Sequence, residues 1–133
     1  MYDIKSSDNF VLRFEQTVKE CWNMPALSDY KSTTLTYGEL AKEIETLVLL
    51  WKNAGLKKGD KIAINARSSA AWAKLFYAAQ AGGFVAVQIF NAFTPSDTEN
   101  LVNHSESRIL YTEEAIFEKM DFDRLPGLVA ALD

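Results

Sequence analysis

Apolar residues recur in this chain first at a helical period and then in short unbroken runs, and that switch sets the expected architecture. Phe10, Phe14, Val18, Cys21 and Trp22 fall along one face of a first helix, with Ser7 or Asp8 as its cap and Pro25 as its end. Two short strand-forming segments follow, at 26–30 and 33–36, separated by the polar turn Lys31-Ser32, a pattern that predicts a hairpin. Thr36-Tyr37-Gly38-Glu39 has the spacing of a capping box. It starts a helix whose Leu40, Ile44, Leu47, Val48, Trp51 and Ala54 form a stripe. Gly55 supplies a left-handed stop, and Leu56 the apolar contact that accompanies it.

From Lys61 the pattern changes. The run 61–66 is too apolar for a strand exposed on one face and reads as a buried parallel strand. Ser68 or Ser69 caps the next helix, with Trp72, Leu75, Phe76 and Ala79 on a stripe. Ala73, Tyr77 and Ala78 make its other sides nearly as apolar, so it is expected to be wedged between layers. A second strand is predicted over 84–90, with Val85, Val87 and Ile89 on one face. A helix follows from the Thr94 cap and Pro95 to about Ser105. A third strand at 108–112 leads into a helix at 113–119 behind a Thr112 cap. Leu128 to Ala131 reads as either a frayed helix or the start of another strand. The predicted fold class is α/β: a three-layer, β-α-β-α-β-α parallel sheet preceded by an N-terminal helix and a short hairpin. The chain is read as a single unit, with the helix region at 1–25, the hairpin at 26–36, the α/β core at 37–120 and a tail at 121–133.

Composition narrows the function. With 133 residues, 48% of them hydrophobic, the chain can bury a core without staples, which argues against disorder. A net charge of -4 and the lack of a basic tract argue against a nucleic-acid partner. One cysteine, Cys21, allows no internal disulfide, and one histidine, His104, allows no multi-histidine metal centre. The start of the chain shows no basic-then-apolar signal, and no apolar run reaches the ~20 residues of a membrane helix; the expected location is cytoplasmic.

Individual polar residues point to little chemistry. A dinucleotide site needs three spaced glycines after the first parallel strand, and Asn65-Ala66-Arg67-Ser68-Ser69 has none; no Walker loop occurs either. Gly82-Gly83 fits a tight helix-to-strand turn. His104 is favoured as a helix-dipole partner or surface residue over a general base, and Cys21 as a buried residue over a reactive one. The three tryptophans fall on helical stripes and are expected in the core. Asp121 and Asp123 read as a solvated loop. Arg67, at the carboxyl end of a parallel strand, is the polar residue best placed for a ligand, against a salt-bridging alternative.

Motifs in series then carry a resemblance. Leu35-Thr36-Tyr37-Gly38-Glu39-Leu40 resembles the Leu-Thr-Tyr-x-Glu-Leu motif of the adenylate-forming superfamily, which includes acyl-CoA synthetases, adenylation domains and luciferases. In the family's order follow Gly55-Leu56-Lys57-Lys58-Gly59-Asp60-Lys61-Ile62-Ala63-Ile64, Arg67-Ser68-Ser69 with Trp72, and Ala81-Gly82-Gly83-Phe84-Val85-Ala86-Val87. Asn91-Ala92-Phe93-Thr94-Pro95 and Asn103-His104-Ser105-Glu106 resemble long-chain fatty-acid CoA ligases in particular. Two positions depart: Gln88 stands where the family usually has proline, and Ser68 where it commonly has asparagine.

The resemblance implies a partial N-terminal domain of an AMP-forming acyl-CoA synthetase. The parent enzyme would use ATP and Mg²⁺ to activate a fatty acid as acyl-adenylate and pass it to coenzyme A. The family's phosphate loop, metal-binding glutamate and catalytic lysine come later than the motifs present here. The resemblance therefore implies no catalytic, cofactor-binding or metal-binding residue in this chain, no cofactor bound to it, and an inactive scaffold in isolation. An enzyme activating aryl, short-chain or amino acids, and a stand-alone interaction module, are the alternatives. A sheet expecting cover on both faces also predicts self-association, as a dimer or by swapping the N-terminal helix.

Overall fold

A computed structural model describes residues 9–128 and 130–132. Helix α1 spans Phe10–Glu20 and is capped by Asn9, whose Oδ1 accepts from the Leu12 N–H at 2.9 Å; Ser7 and Asp8 lie outside the described residues. It ends before the expected Pro25, because the chain turns at Cys21 to enter the hairpin. Pro25 instead opens strand β1, Pro25–Ser28, which pairs antiparallel with β2, Thr34–Thr36, across a turn where Lys31 takes φ 57°. Trp22 is therefore off the helix and 45% exposed, contrary to a core position. It lies so close over Gly38 that a Cβ there would meet its ring at 2.5 Å.

Helix α2, Tyr37–Asn53, begins with the Thr36 hydroxyl accepting from the Glu39 N–H at 3.2 Å. Its far end closes by a Schellman motif. Gly55 takes φ +96°, its N–H reaches the Lys52 carbonyl, and the Leu56 N–H reaches the Trp51 carbonyl at 3.1 Å. Strand β3, Lys61–Asn65, is buried from Ile62 onward and occupies an interior position in a parallel four-stranded sheet. Helix α3, Ala70–Gly82, leads to β4, Val85–Gln88; α4, Pro95–Ser105, leads to β5, Ile109–Thr112. The short helix α5, Glu114–Phe117, and a 3₁₀ turn at Phe122–Arg124 then lead to β6, Ala130–Leu132, parallel to β5. The strand order is β4-β3-β5-β6, so the last residues continue the sheet as the strand alternative expects.

Two expected details differ. The second strand ends at Gln88 rather than at 90, leaving Phe90 74% exposed, although the Ile89 N–H still reaches the Ile64 carbonyl. Thr112 does not cap α5: it is the last residue of β5, buried, and its hydroxyl accepts from Asn65 Nδ2 at 3.3 Å. Glu113 holds the cap position without a side-chain cap bond.

Side chains alternate across the strands and build two cores, giving three layers. On one face Ile62, Ile64 and Ile109 meet Leu40, Ile44 and Trp51 of α2 and Leu75, Ala78 and Ala79 of α3, with Phe14 of α1 outside them. On the other, Ala63 and Leu110 meet Val102 of α4, Met120 and Leu125, with Ile116 of α5 against them. Helix α3 is thus wedged as expected, between the sheet and the aromatic residues of α1: Phe10 and Phe14 stack on Tyr77 at 5.2 and 4.5 Å.

Candidate functional site

Ligands of open parallel sheets sit at the carboxyl edge, where connections from neighbouring strands leave toward opposite faces. Here that point lies between β3 and β5. The chain leaves β3 for α3 on one face and leaves β5 for α5 on the other. The parting loops leave an open cleft of about 680 Å³, whose lining includes Asp29, Arg67, Ser69, Tyr111 and Glu113. A second hollow of about 360 Å³, between the ends of β3 and β4, shares Arg67 and is bounded by Gln88 and Phe90.

Arg67 spans the gap between the two loops. Its backbone N–H donates to Glu113 Oε1 at 2.9 Å and its Nε donates to the same oxygen at 3.1 Å. The Arg67 backbone N–H is the main cause that holds the Glu113 carboxyl below its ordinary value; slight burial opposes it, and the guanidinium adds to it. With the Arg67 side chain 78% exposed, the ion pair is screened and contributes mainly loop geometry. The salt-bridging alternative for Arg67 is the one present.

The start of α3 borders the same cleft, and two of its N–H groups are engaged by side chains. Ser69 Oγ accepts from the Trp72 N–H at 3.1 Å, and Asp29 Oδ1, carried in by the hairpin, accepts from the Ala70 N–H at 2.9 Å. An incoming phosphate would meet a carboxylate already seated at this helix terminus. Beneath lies Asn65, fully buried, whose Nδ2 donates to Thr112 and, at 3.5 Å, to Thr98, while its Oδ1 accepts nothing among the described residues. The arrangement fixes two loops and a helix start in place.

The remaining sequence candidates lie apart from this cleft. His104 is exposed in the last turn of α4. Cys21 is a free, half-buried thiol at the C-cap of α1, less enclosed than expected. Asp121 Oδ1 accepts from the Asp123 N–H at 3.1 Å, and Asp121 Oδ2 lies 3.6 Å from Arg124 Nε, so the pair organises a turn. Gly83 takes φ +78° at the end of α3 and its carbonyl accepts from the Gly59 N–H, which places the glycine pair in a structural turn. No group of three or more His, Cys, Asp or Glu side chains able to hold a metal occurs among the described residues. No helix among them is long and apolar enough to cross a membrane.

Sequence reasoning passed over Glu113, Asp29 and Asn65. Glu113 and Arg67 stand just beyond the carboxyl ends of strands that turn out to be neighbours, a relation that needs the strand order. Asp29 needs the position of the hairpin.

The family model described as "AMP-binding enzyme" matches residues 14–132. Acyl-CoA ligase sidI of Beauveria bassiana is 27% identical over 120 residues, 90% of this chain but 20% of that protein. Among solved structures, the anthranilate CoA ligase AuaEII in complex with anthranoyl-AMP superposes with a TM-score of 0.86 at 21% identity, over 98% of this chain and 26% of that one. A Mycobacterium tuberculosis fatty acyl CoA synthetase gives 0.81 at 18% identity, over 93% and 26%. The chain thus spans about a fifth to a quarter of the proteins it resembles. The structural likenesses establish the fold. With the family match running from α1 to the last strand, this chain belongs to the AMP-binding enzyme family.

Proposed function

We propose that these residues form the N-terminal part of the AMP-binding domain of an ATP-dependent acyl-CoA ligase, with a long-chain fatty acid as substrate. The family match over 14–132 carries the reading. The fatty-acid assignment is supported by the Asn91 to Pro95 and Asn103 to Glu106 segments, whose likeness is to long-chain ligases. An aryl acid is the second reading, favoured by the fold similarity to a ligase bound to anthranoyl-AMP.

Asp29 is seated at the start of α3, where its carboxylate accepts from the Ala70 N–H at 2.9 Å. The part this segment plays is to hold the sheet, its carboxyl-edge loops and the hairpin in one rigid arrangement. Acid-dependent exchange of pyrophosphate into ATP tests the reading. It is measured for the 133-residue chain alone and for the whole polypeptide its gene encodes. Expected are no exchange by the chain alone and exchange by the whole polypeptide, faster with a long-chain fatty acid than with benzoate. Exchange by the chain alone, or a reading frame ending at Asp133, overturns it; preference for benzoate selects the aryl reading.

A further inference from the structure

The second core ends in polar side chains at the carboxyl edge of the sheet. Alternation along the strands puts Asn65 of β3 on the face of Ala63, and Thr112 of β5 on that of Leu110. On α4, Thr98 lies one turn before Val102 and on the same stripe. Asn65 and Thr112 are partners in the parallel ladder, so the three side chains meet in one layer that finishes the apolar core. Asn65 and Thr98 are 0% exposed, and Thr112 is 3% exposed.

Bonding within this layer is incomplete. Asn65 Nδ2 donates to the Thr112 and Thr98 hydroxyls at 3.3 and 3.5 Å, both longer than the usual ~2.9–3.0 Å. Asn65 Oδ1 accepts from no donor, and among the described residues neither hydroxyl has an acceptor for its own proton. Enclosed polar atoms in folded proteins are nearly always bonded. One oxygen lacking a proton and two protons lacking an oxygen are together the complement of a water molecule. Glu99, the carboxylate next to Thr98 in sequence, is directed to the Asp121 N–H and to Arg124, which leaves the layer uncharged.

We propose that Asn65, Thr98 and Thr112 bind one buried water molecule. The water donates a proton to Asn65 Oδ1 and accepts from both hydroxyls, making about three bonds, the usual number for a buried water. Asn65 exposes no surface, so nothing that docks on this segment from outside reaches its amide; the site is complete within the described residues. The bound water ties the last residues of β3 and β5 to the start of α4, just before the loops that Arg67 and Glu113 join. The site is independent of the acid that the enzyme activates.

Oxygen-17 relaxation dispersion of the solvent counts long-lived internal waters and is blind to proton exchange at hydroxyls. Measured on the 133-residue chain, Asn65→Leu is expected to lower the dispersion by the amplitude of one water with the far-UV circular dichroism unchanged. Thr112→Ser, which keeps the hydroxyl, leaves the amplitude as it was. Crystals of the unaltered chain give a second reading that depends on no variant's folding: an ordered water within about 3.2 Å of Asn65 Oδ1 and of both hydroxyls. Undiminished dispersion in folded Asn65→Leu overturns the proposal. So do crystals in which protein groups alone bond the Asn65 amide, or in which an ordered Asn65 carries no water on its oxygen.

Discussion

Trp51 is 1% exposed, and its indole N–H is satisfied by a single group, the Tyr111 hydroxyl at 2.9 Å. The bond ties the last turns of α2 to β5 across 60 residues of sequence, and the two rings also meet edge to face at 6.1 Å. Tyr111→Phe keeps the ring contact and strands a buried donor, so it is expected to cost about 1–2 kcal/mol in urea unfolding followed by far-UV circular dichroism. Burial raises the Tyr111 hydroxyl above its ordinary value of 10.0, outweighing the lowering by Trp51. A raised value means that the neutral phenol's contribution is complete below pH 10.0 and is lost as pH rises through the higher folded value. The stability gap between the two proteins should therefore be constant through neutral pH and shrink under alkali. A gap absent at pH 7 would mean that Trp51 finds another acceptor.

At the scale of elements, α1 is lightly attached for its eleven residues, with only Val18 buried. Phe10 and Phe14 dock on Tyr77, while Trp22 seals the following turn against Gly38. Tyr77→Ala removes both stacks and leaves the sheet untouched. It is expected to raise amide hydrogen exchange in α1 about tenfold while exchange in β3 changes little. Equal acceleration in both would show α1 to be part of the global unit. The same distinction between local and distant contacts explains what the sequence could tell. The caps at Thr36, Ser69 and Thr94 and the stops at Gly55 and Gly83 are satisfied within a few residues, and all were readable from spacing alone. Thr112 and Trp22 were misread because distant groups decide them: the Asn65 amide takes one hydroxyl, and the hairpin turn pulls the other residue off its helix. The carboxyl-edge cleft was legible only through Arg67, since Glu113 and Asp29 become its neighbours once the strand order and hairpin position are fixed.

In the whole molecule, two apolar cores lie on opposite faces of a single sheet, and the sheet couples them. Ile62 and Ile64 belong to one core and Ala63 between them to the other; likewise Ile109 belongs to the first and Leu110 to the second. Neither core can open without freeing backbone that the other needs, because adjacent residues of the same strand serve both. Leu110 is fully buried in the second core, whereas Trp51, which becomes the single fluorescent probe in a Trp22→Phe, Trp72→Phe background, is enclosed in the first. Leu110→Ala leaves a cavity on the face away from Trp51 and is expected to cost about 3 kcal/mol. If the sheet transmits that loss, the Trp51 fluorescence transition shifts to lower urea by the full amount and still coincides with the far-UV circular dichroism transition. Were the faces separate folding units, circular dichroism would split into two steps and the fluorescence midpoint would stay where it was. Coincident, shifted transitions are the expected result, since β3 and β5 are bonded to each other along Ile62 to Asn65 and Ile109 to Thr112 and supply both cores from that one ladder.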